Sequence, residues 1–297
     1  MDGVLLIDKP TGPTSHDVVA RMRRVLGERA VGHTGTLDPM ATGLLVLVIG
    51  KATRLASLLT GGDKTYDATV RLGFRTSTDD AHGLPVGPAA EQCPSDANVH
   101  AALERFRGTF QQMPPAYSAK SVGGTRAYEL ARKDKPVNLT PVDVTVRSLE
   151  WQGREGDLVF LRVQATAGFY VRALARDLGA VLGCGGHLAA LRRVRSGSFG
   201  VEESWELGMA EKASREAAEE RLIEPASALP ALAAVQVNEP GLKRVRHGNP
   251  LGPAHLEGGL PEAAPGGTLV KILSREGRLL ALAEPRAGAL HPVVVLG

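Results

Sequence analysis

The sequence predicts an α+β fold, in which helices flank a sheet, followed by a small, basic all-β module. Three observations support this prediction. The unbroken apolar run Leu44–Ile49 is typical of a strand buried on both faces. Thr65–Gly73 alternates apolar with polar residues, as half-buried strands do. Apolar residues recur at helical spacing over residues 18–26 and 170–182, so we expect two amphipathic helices.

The N-terminal part predicts a strand and a helix before the buried strand. Val4–Ile7 is a short apolar strand, Ser15 is a good N-cap for the helix, and Gly27 is its stop. A polar, glycine-rich loop from Gly32 to Gly43 then leads into the buried strand and carries one carboxylate, Asp38. Because catalytic groups often lie on loops held by a rigid scaffold, this loop is a candidate site.

The middle of the chain is expected to form further helices and strands. Val99–Phe106 has the apolar spacing of a helix, and Val142–Trp151 with Leu158–Thr166 is typical of an antiparallel strand pair. The basic segment His187–Arg195 and the charged segment Ala210–Leu222 predict two further helices.

Two segments indicate how the chain is divided. Residues 111–132 predict a long irregular segment that is basic and contains two tyrosines, which suits stacking on bases and holding phosphates; the alternative is an ordinary surface loop. The Pro- and Ala-rich stretch Pro225–Pro240 predicts a domain boundary. We therefore expect a first domain over residues 1–228 and a second, basic domain over residues 229–297. The second domain contains a predicted hairpin of Leu269–Leu273 and Leu279–Ala283.

Composition narrows the class of protein. The 297 residues are 43% hydrophobic, enough for a sizeable core, and the formal net charge of +3 is compatible with a polyanionic partner. The two cysteines, Cys93 and Cys184, predict no disulfide framework and favour a reducing compartment. No signal peptide is expected, and no apolar run approaches the ~20 residues of a membrane span. A cytoplasmic protein without a membrane segment is the expectation.

Four residues form a candidate site: Asp38, Tyr66, Tyr170 and Arg172. None is specific alone, because Asp-Pro is common turn chemistry and a lone Tyr or Arg is usually a core or a solvated residue. A buried Asp nucleophile, however, needs a cation to stay ionised, and an Arg provides one at any accessible pH. No second carboxylate pairs with Asp38 as in ordinary glycosidases, and the His and Cys residues show no metal spacing.

Six motifs occur along the chain in a fixed order. One motif is the run from Gly32 to Leu45, which contains Asp38. The other five motifs are Gly3–Ser15, Lys64-Thr65-Tyr66 with Leu72-Gly73, Pro114-Pro115 with Tyr117-Ser118-Ala119, Tyr170-Val171-Arg172 with Asp177-Leu178-Gly179, and Leu191-Arg192-Arg193. Together they are very specific. From about Gly3 to Arg193, and more weakly at its end, the chain resembles the TruB family of bacterial tRNA pseudouridine synthases.

The resemblance implies isomerisation of the uridine at position 55, in the T-loop of tRNA, to pseudouridine. Asp38 is then the nucleophile, and Arg172 is its ion-pair partner. Tyr66 stacks on the flipped uracil and helps to remove the proton from C5. Such a base must leave the stack before a buried side chain can reach it.

The resemblance also implies roles in substrate binding for five other residues. His33 fills the gap left by the flipped base, and Tyr170 and Leu191 wall the pocket. Lys9 and Pro10, in the N-terminal motif, are assigned to substrate binding. Because the reaction is an isomerisation, no cofactor and no metal are expected.

For the whole molecule, the resemblance implies a mixed, largely antiparallel central sheet with flanking helices, plus a small C-terminal β-barrel similar to a PUA RNA-binding domain. The partner is tRNA, through its T stem-loop; a monomer without a protein partner is expected, and assistance in tRNA folding is a further expectation. Two alternatives are open. A non-catalytic RNA-binding protein has no need of Asp38 with Arg172, and a nucleoside hydrolase would call for a metal-binding carboxylate cluster.

Overall fold

The computed structural model describes residues 1–118, 121–122, 125–126, 139–260 and 268–297. The strands in these residues are β1 Gly3–Lys9, β2 Val31–His33, β3 Thr42–Ile49, β4 Lys64–Leu72, β5 Arg75–Thr76, β6 Pro85–Val86, β7 Gly108–Gln112, β8 Ser121–Val122, β9 Thr125–Arg126, β10 Val142–Glu155, β11 Leu158–Ala165, β12 Gly186–Ser196, β13 Phe199–Gly200, β14 Trp205–Glu206, β15 Ala234–Val237, β16 Leu256–Glu257, β17 Val270–Leu273, β18 Leu279–Arg286 and β19 Ala289–Val295.

The α-helices in the same residues are α1 Ser15–Leu26, α2 Ala56–Thr60, α3 Asp96–Leu103, α4 Val171–Val181, α5 Leu207–Ala210, α6 Arg215–Glu220 and α7 Glu239–Arg246. Short 3-10 turns cover Gly50–Leu55, Glu104–Phe106, Val201–Glu203 and Pro253–His255.

The main sheet has the strand order β14-β1-β3-β12-β4-β11-β10-β7, with β2 beside β3 and β13 beside β12. The pairs β1–β14 and β3–β12 are parallel, and the other pairs are antiparallel. The predicted α+β fold with a mixed, largely antiparallel sheet is therefore confirmed.

Strand β3 is buried on both faces, as its apolar run predicts. Leu45 and Leu47 face a core that α1 and α4 also enter. Val46 and Val48 face a second core, which includes Leu282 of the C-terminal module. The Asp38 loop, residues 34–41, is thus followed directly by a strand whose last seven residues are all buried, and β3 cannot shift without disturbing two cores.

The predicted helix over His187–Arg195 is wrong, because these residues form the central strand β12. Register shifts between Leu188 and Ala190 and between Arg193 and Arg195 interrupt its pairing with β4. Each shift adds a residue to one strand and breaks the alternation of buried and exposed side chains. The remaining spacing of buried residues imitates a helical period.

Two smaller predictions about helices also need correction. The cap of α1 is Thr14, whose side chain accepts from the Asp17 N–H, whereas the predicted cap Ser15 is the first helical residue. The predicted charged helix over Ala210–Leu222 is divided into α5 and α6, because Ser214 caps a new helix by accepting from the Ala217 N–H.

In its described residues, the C-terminal module is an open sheet with one α-helix. Its strand order is β16-β15-β17-β18-β19, and within the described residues no pairing joins β16 to β19. The predicted β-barrel is therefore not confirmed. The hairpin of β17 and β18 is confirmed. The basic residues 243–246 lie in α7, which Asn238 caps, so the module is not all-β.

The predicted irregular segment 111–132 is only partly described. Its first two residues belong to β7, residues 113–118 have no regular structure, and the short strands β8 and β9 pair with each other. The rest of this segment lies outside the described residues.

Candidate active site

The Asp38 loop is anchored to the start of helix α1. The Ser15 hydroxyl accepts from the Leu37 N–H at 2.9 Å and donates to the Leu37 carbonyl at 3.2 Å. The chain then turns, and the Ala41 N–H donates to the Asp38 carbonyl at 3.0 Å. Asp38 is therefore a turn residue, as its local sequence predicts, and its carboxylate is held in a fixed direction by the loop around it.

Lys9 lies beneath this loop. Its side chain is fully buried, and the ammonium donates to the carbonyls of Pro10, Pro13 and Pro39 at 2.9, 2.9 and 3.4 Å. Burial lowers the pKa of Lys9 to about 8, and the Asp38 carboxylate opposes this shift. Lys9 thus ties the turn after β1 to the loop. Substrate binding by Lys9 and Pro10 stays a prediction.

The other end of the loop is joined to β12 through Arg193. This buried guanidinium donates from Nε to the Leu44 carbonyl at 2.7 Å and from Nη2 to the Gly35 carbonyl at 3.0 Å. The backbones also approach closely, because Gly43 has a φ of +97° and a Cβ there would lie 2.3 Å from the Arg193 carbonyl oxygen. A side chain at position 43 would separate β3 from β12.

Arg172, one residue into helix α4, meets the Asp38 carboxylate with two donors. The Nε–Oδ2 distance is 2.9 Å and the Nη2–Oδ1 distance is 3.2 Å. The guanidinium also donates to the carbonyls of Thr78 and Tyr117, at 3.2 and 2.7 Å, and lies 3.6 Å from an oxygen of Asp80. These partners fix its plane against Asp38. The fork of two parallel donors adds direction as well as charge.

The Asp38 carboxylate lies between opposing influences. Burial raises the pKa of this carboxyl above its ordinary value, and the nearby Asp80 adds to the rise. The Arg172 guanidinium works against it. The Asp38 side chain is 35% exposed, whereas that of Arg172 is 6% exposed. The carboxylate therefore keeps one side open while its cation is enclosed.

Asp38 lies on the wall of a cavity of about 120 Å³. Arg172, Tyr66, Tyr170 and Leu191 line the same cavity, so the structure brings five of the predicted site residues together. Burial raises the pKa of Tyr170, whose hydroxyl lies by the Ser118 side chain. The hydroxyl of Tyr66 lies beside the Arg193 guanidinium. This cavity combines a carboxylate, a cation and two aromatic rings.

His33, another of the eight predicted site residues, lies at the end of β2 and does not line this cavity. Its Nδ1 accepts from the Gly35 N–H at 3.3 Å, and its ring meets that of His16 edge to face, with centroids 5.4 Å apart. Burial lowers the pKa of His33 to about 4. The imidazole is therefore neutral at physiological pH, with its proton on Nε2.

Sequence reasoning assigned no role to Asp80 or to Arg193, although Arg193 lies in the last of the six motifs. Asp80 is buried, and its Oδ1 accepts from the Thr78 hydroxyl at 2.6 Å and from the His82 N–H at 3.0 Å. Its segment, rich in Thr and Asp, has the composition of a solvated loop, so only the structure shows that one acid turns inward. Arg193 was hidden by the helical interpretation of β12.

A larger, open cavity of about 370 Å³ lies alongside and shares Leu191. Its charged residues are paired with one another or with neighbours. Arg162 contacts both oxygens of Asp67 at 2.7 and 2.9 Å, and Arg192 contacts both oxygens of Asp8 at 3.0 and 2.6 Å. We place the candidate chemistry in the smaller cavity, because that one contains Asp38 and Arg172.

Among the described residues, no helix is both long and apolar enough to cross a membrane. In that same part of the chain, no three His, Cys, Asp or Glu side chains are grouped so as to hold a metal ion.

Comparison with known proteins identifies the family. A model described as the TruB family pseudouridylate synthase N-terminal domain matches residues 23–171, and one described as the tRNA pseudouridylate synthase B C-terminal domain matches residues 172–230. Proteins of Solibacter usitatus and Thermobifida fusca, both named tRNA pseudouridine synthase B, are 45% identical to this chain over 303 residues. The alignments cover 100% and 99% of this chain and 100% and 98% of those proteins.

Solved structures agree with this relationship. A chain in an H/ACA RNP bound to a substrate RNA containing 2′-deoxyuridine is similar with a TM-score of 0.74 and 25% identity, covering 99% of this chain and 85% of that chain. A chain in an archaeal box H/ACA sRNP Nop10–Cbf5 complex is similar with the same TM-score and identity, covering 99% and 86%. The chain belongs to the TruB family of tRNA pseudouridine synthases.

Proposed function

We propose that this protein isomerises uridine to pseudouridine at position 55, in the T-loop of tRNA, with Asp38 as the nucleophile. The observation that carries the proposal is the two-donor pairing of Arg172 with Asp38 on the wall of a small cavity that Tyr66 also lines. The full-length relatives, named tRNA pseudouridine synthases, support the same reaction and substrate.

The reaction begins with the base leaving its stack, because a uridine stacked in RNA cannot reach a carboxylate in a cavity. Unstacking costs a few kcal/mol, which contacts in the cavity offset. Asp38 then attacks the target nucleotide and forms a covalent bond to it. The C–N glycosidic bond breaks, the uracil turns, its C5 bonds to the sugar C1′, and the bond to Asp38 is broken again, which restores the carboxylate. C5 loses a proton and N1 gains one. No atom is added or removed overall, so the chemistry needs no cofactor.

Four side chains act on this sequence of steps. Arg172 opposes the rise that burial causes in the pKa of Asp38 and so favours the ionised form of the nucleophile. Tyr66 stacks on the uracil, and its hydroxyl helps to take the C5 proton. Tyr170 and Leu191 form the walls that hold the turned base.

His33, Lys9 and Pro10 serve the approach of the RNA. His33 fills the space that the flipped base leaves. Before the RNA binds, its ring is neutral, because burial in the fold lowers its pKa to about 4. A neutral ring can stack among bases without desolvating a charge. Lys9 and Pro10 shape the turn on which the substrate strand rests.

The remaining parts bind tRNA outside the cavity. We divide the chain into a catalytic domain, residues 1–228, with an RNA-binding segment at 111–132, and a PUA-like RNA-binding domain, residues 229–297. In the latter, Lys243, Arg244 and Arg246 lie together on α7, where they can contact phosphate. The protein acts as a monomer without a protein partner, in the cytoplasm where its substrate is found, and it assists tRNA folding as it binds.

The test is incubation with an unmodified tRNA transcript, followed by chemical mapping of pseudouridine. The wild-type protein is expected to form pseudouridine at position 55. Asp38→Asn is expected to form none, because an amide is not a nucleophile here, while it binds the transcript as tightly as before. Asp157→Asn is the matched control, since it removes a carboxylate from a surface pair with Arg71. Full turnover by Asp38→Asn would refute the assignment.

A further inference from the structure

A second arginine lies one helical turn beyond Arg172 on α4. Arg176 donates from Nη1 to Asp79 at 3.1 Å, from Nε to Asp177 at 2.8 Å and from Nη2 to the Met113 carbonyl at 2.8 Å. Its side chain is 16% exposed and that of Asp79 is 13% exposed. Every nitrogen of this guanidinium has a partner, and the residue does not line the cavity that contains Asp38.

The contact with Met113 is one of several that hold residues 112–118 along α4. The Gln112 amide donates to the Tyr170 carbonyl at 3.1 Å and accepts from the Tyr170 N–H at 2.8 Å. Arg172 holds the Tyr117 carbonyl at 2.7 Å. The next residue, Ser118, lines the cavity. This segment therefore connects the outer arginine to the cavity wall.

Two features make the connection stiff. Pro114 and Pro115, both buried, separate the two held carbonyls, and their rings fix φ. On the other side, Asp79 has a φ of +61°, a strained conformation for a residue with a side chain. Its carbonyl accepts from the Leu188 N–H of β12 at 3.0 Å, which helps to hold this conformation. The strained turn places Asp79 against Arg176 and the next acid, Asp80, near Arg172.

We propose that Arg176 is a positioning residue that sets how tightly this enzyme binds tRNA. By joining Asp79 to the Met113 carbonyl, it holds residues 113–118 against α4 and so places Ser118 at the cavity wall. Arg172 retains its contacts with Asp38 and Asp80 when Arg176 is absent. The loss of Arg176 therefore weakens binding and leaves the chemical step nearly intact. This inference rests on the proposed function.

The experiment compares steady-state kinetics on a tRNA transcript for the wild type, Arg176→Lys and Arg176→Met. A lysine ammonium cannot reproduce the planar fork that meets three acceptors at once. Both variants are expected to raise KM about tenfold while kcat changes less than about threefold, the size expected for one charged hydrogen bond. Direct tRNA binding in an Asp38→Asn background is expected to weaken by the same factor.

Two further variants complete the design. Arg215→Lys changes an exposed arginine that pairs with Glu219 on α6, and it is expected to leave KM unchanged. Asp79→Asn keeps the shape and tolerates the left-handed conformation but removes the charge, so a smaller rise in KM, about threefold, is expected. Asp79→Asn decides the question if the Arg176 variants do not fold.

Three outcomes would overturn the inference. One is a wild-type KM for Arg176→Lys, which would mean either that only the positive charge at position 176 affects tRNA binding or that this side chain does not affect it. Another is a loss of kcat at unchanged KM, which would place Arg176 in the chemical step. The third, if only Asp79→Asn folds, is an unchanged KM for that variant. If the wild-type protein itself formed no pseudouridine, the proposed function would fail instead, so the two failures are distinguishable.

Discussion

The charges at the active site and those of the C-terminal module are held in opposite ways. Lys9, Arg172 and Arg193 are buried and donate to named oxygens at defined distances. Lys243 and Arg246, on α7, are exposed. Buried charges are screened little by salt and act through geometry, whereas exposed charges act at longer range and are screened. If α7 binds RNA as proposed, chemistry and attachment to RNA can therefore be separated experimentally by salt.

The two regions nevertheless pack against each other through a shared hydrophobic core. The strands β1 and β3 present one face to the core beneath the Asp38 loop and the other face to the C-terminal sheet. Arg54, after β3, also donates to the Val295 carbonyl of β19. The difference between the regions therefore lies in how their charges are solvated, and it does not require separate movement of two bodies.

The largest effect is expected for Arg172→Lys, which tests the buried side of the comparison. A point charge replaces the two-donor fork, so we expect kcat to fall about a thousandfold, ~4 kcal/mol. As the proposed nucleophile, Asp38 must be deprotonated to react. With its main opposing cation weakened, its pKa rises further, so the acid limb of the kcat–pH profile moves to higher pH. This shift is expected to be insensitive to salt.

The matched control is Arg162→Lys, because Arg162 pairs with Asp67 through two donors on an exposed part of the sheet. It is expected to change kcat little. Unchanged kinetics for Arg172→Lys, or an acid limb that moves to lower pH, would contradict the role given to the buried pair.

The next effect concerns the backbone that holds the buried charges. Gly43→Ala introduces a Cβ at 2.3 Å from the Arg193 carbonyl at a left-handed φ, so we expect the free energy of unfolding to fall by ~3 kcal/mol. Urea unfolding measures it. Gly156→Ala isolates the strain, since φ there is +57° and no atom lies within 4 Å of the added Cβ; about 1 kcal/mol is expected. Equal losses for the two variants would mean that the contact with β12 is not tight.

The smallest effect tests the exposed side. Replacing Lys243, Arg244 and Arg246 with Gln is expected to weaken tRNA binding about tenfold at low salt. The plot of the logarithm of the binding constant against the logarithm of the salt concentration is expected to become shallower by about 2 to 3, because each phosphate that a cation neutralises adds about one to the slope. Filter binding across a salt series measures both. The control replaces Arg275, Arg278 and Arg286, which pair with glutamates in the same module. An unaltered slope for the first variant would exclude phosphate contacts by α7.

The sequence predicts the secondary structure of this molecule well where the pattern of apolar residues within one segment determines it. The buried strand β3, the alternating strand β4 and the amphipathic helix α4 follow from periodicity. Strand β12 does not, because its two register shifts depend on its partner β4 and leave a spacing that imitates a helix. The barrel likewise depends on which edges meet, a property that short strands do not encode individually.

The residues of the candidate site also divide into those that local sequence singles out and those that only the folded structure shows. The motifs single out Asp38, Arg172 and Tyr66, and the structure places them around one cavity. Asp80 and Arg193 were beyond reach because an acid in a loop and an arginine on a strand are ordinary until their burial is known. The inward turn of Asp80 depends on hydrogen bonds with Thr78 and His82, and these are formed only in the folded chain.

The parallel pairing of β3 with β12 has a consequence for how the enzyme is made. Asp38 precedes its cation by 134 positions, and the strand that clamps its loop is added later still. While the ribosome is extending the chain, the Asp38 carboxylate emerges long before Arg172 and β12 are available to hold it. The ion pair of Asp38 with Arg172 is therefore a late contact of folding, which forms only after the distant segment has docked.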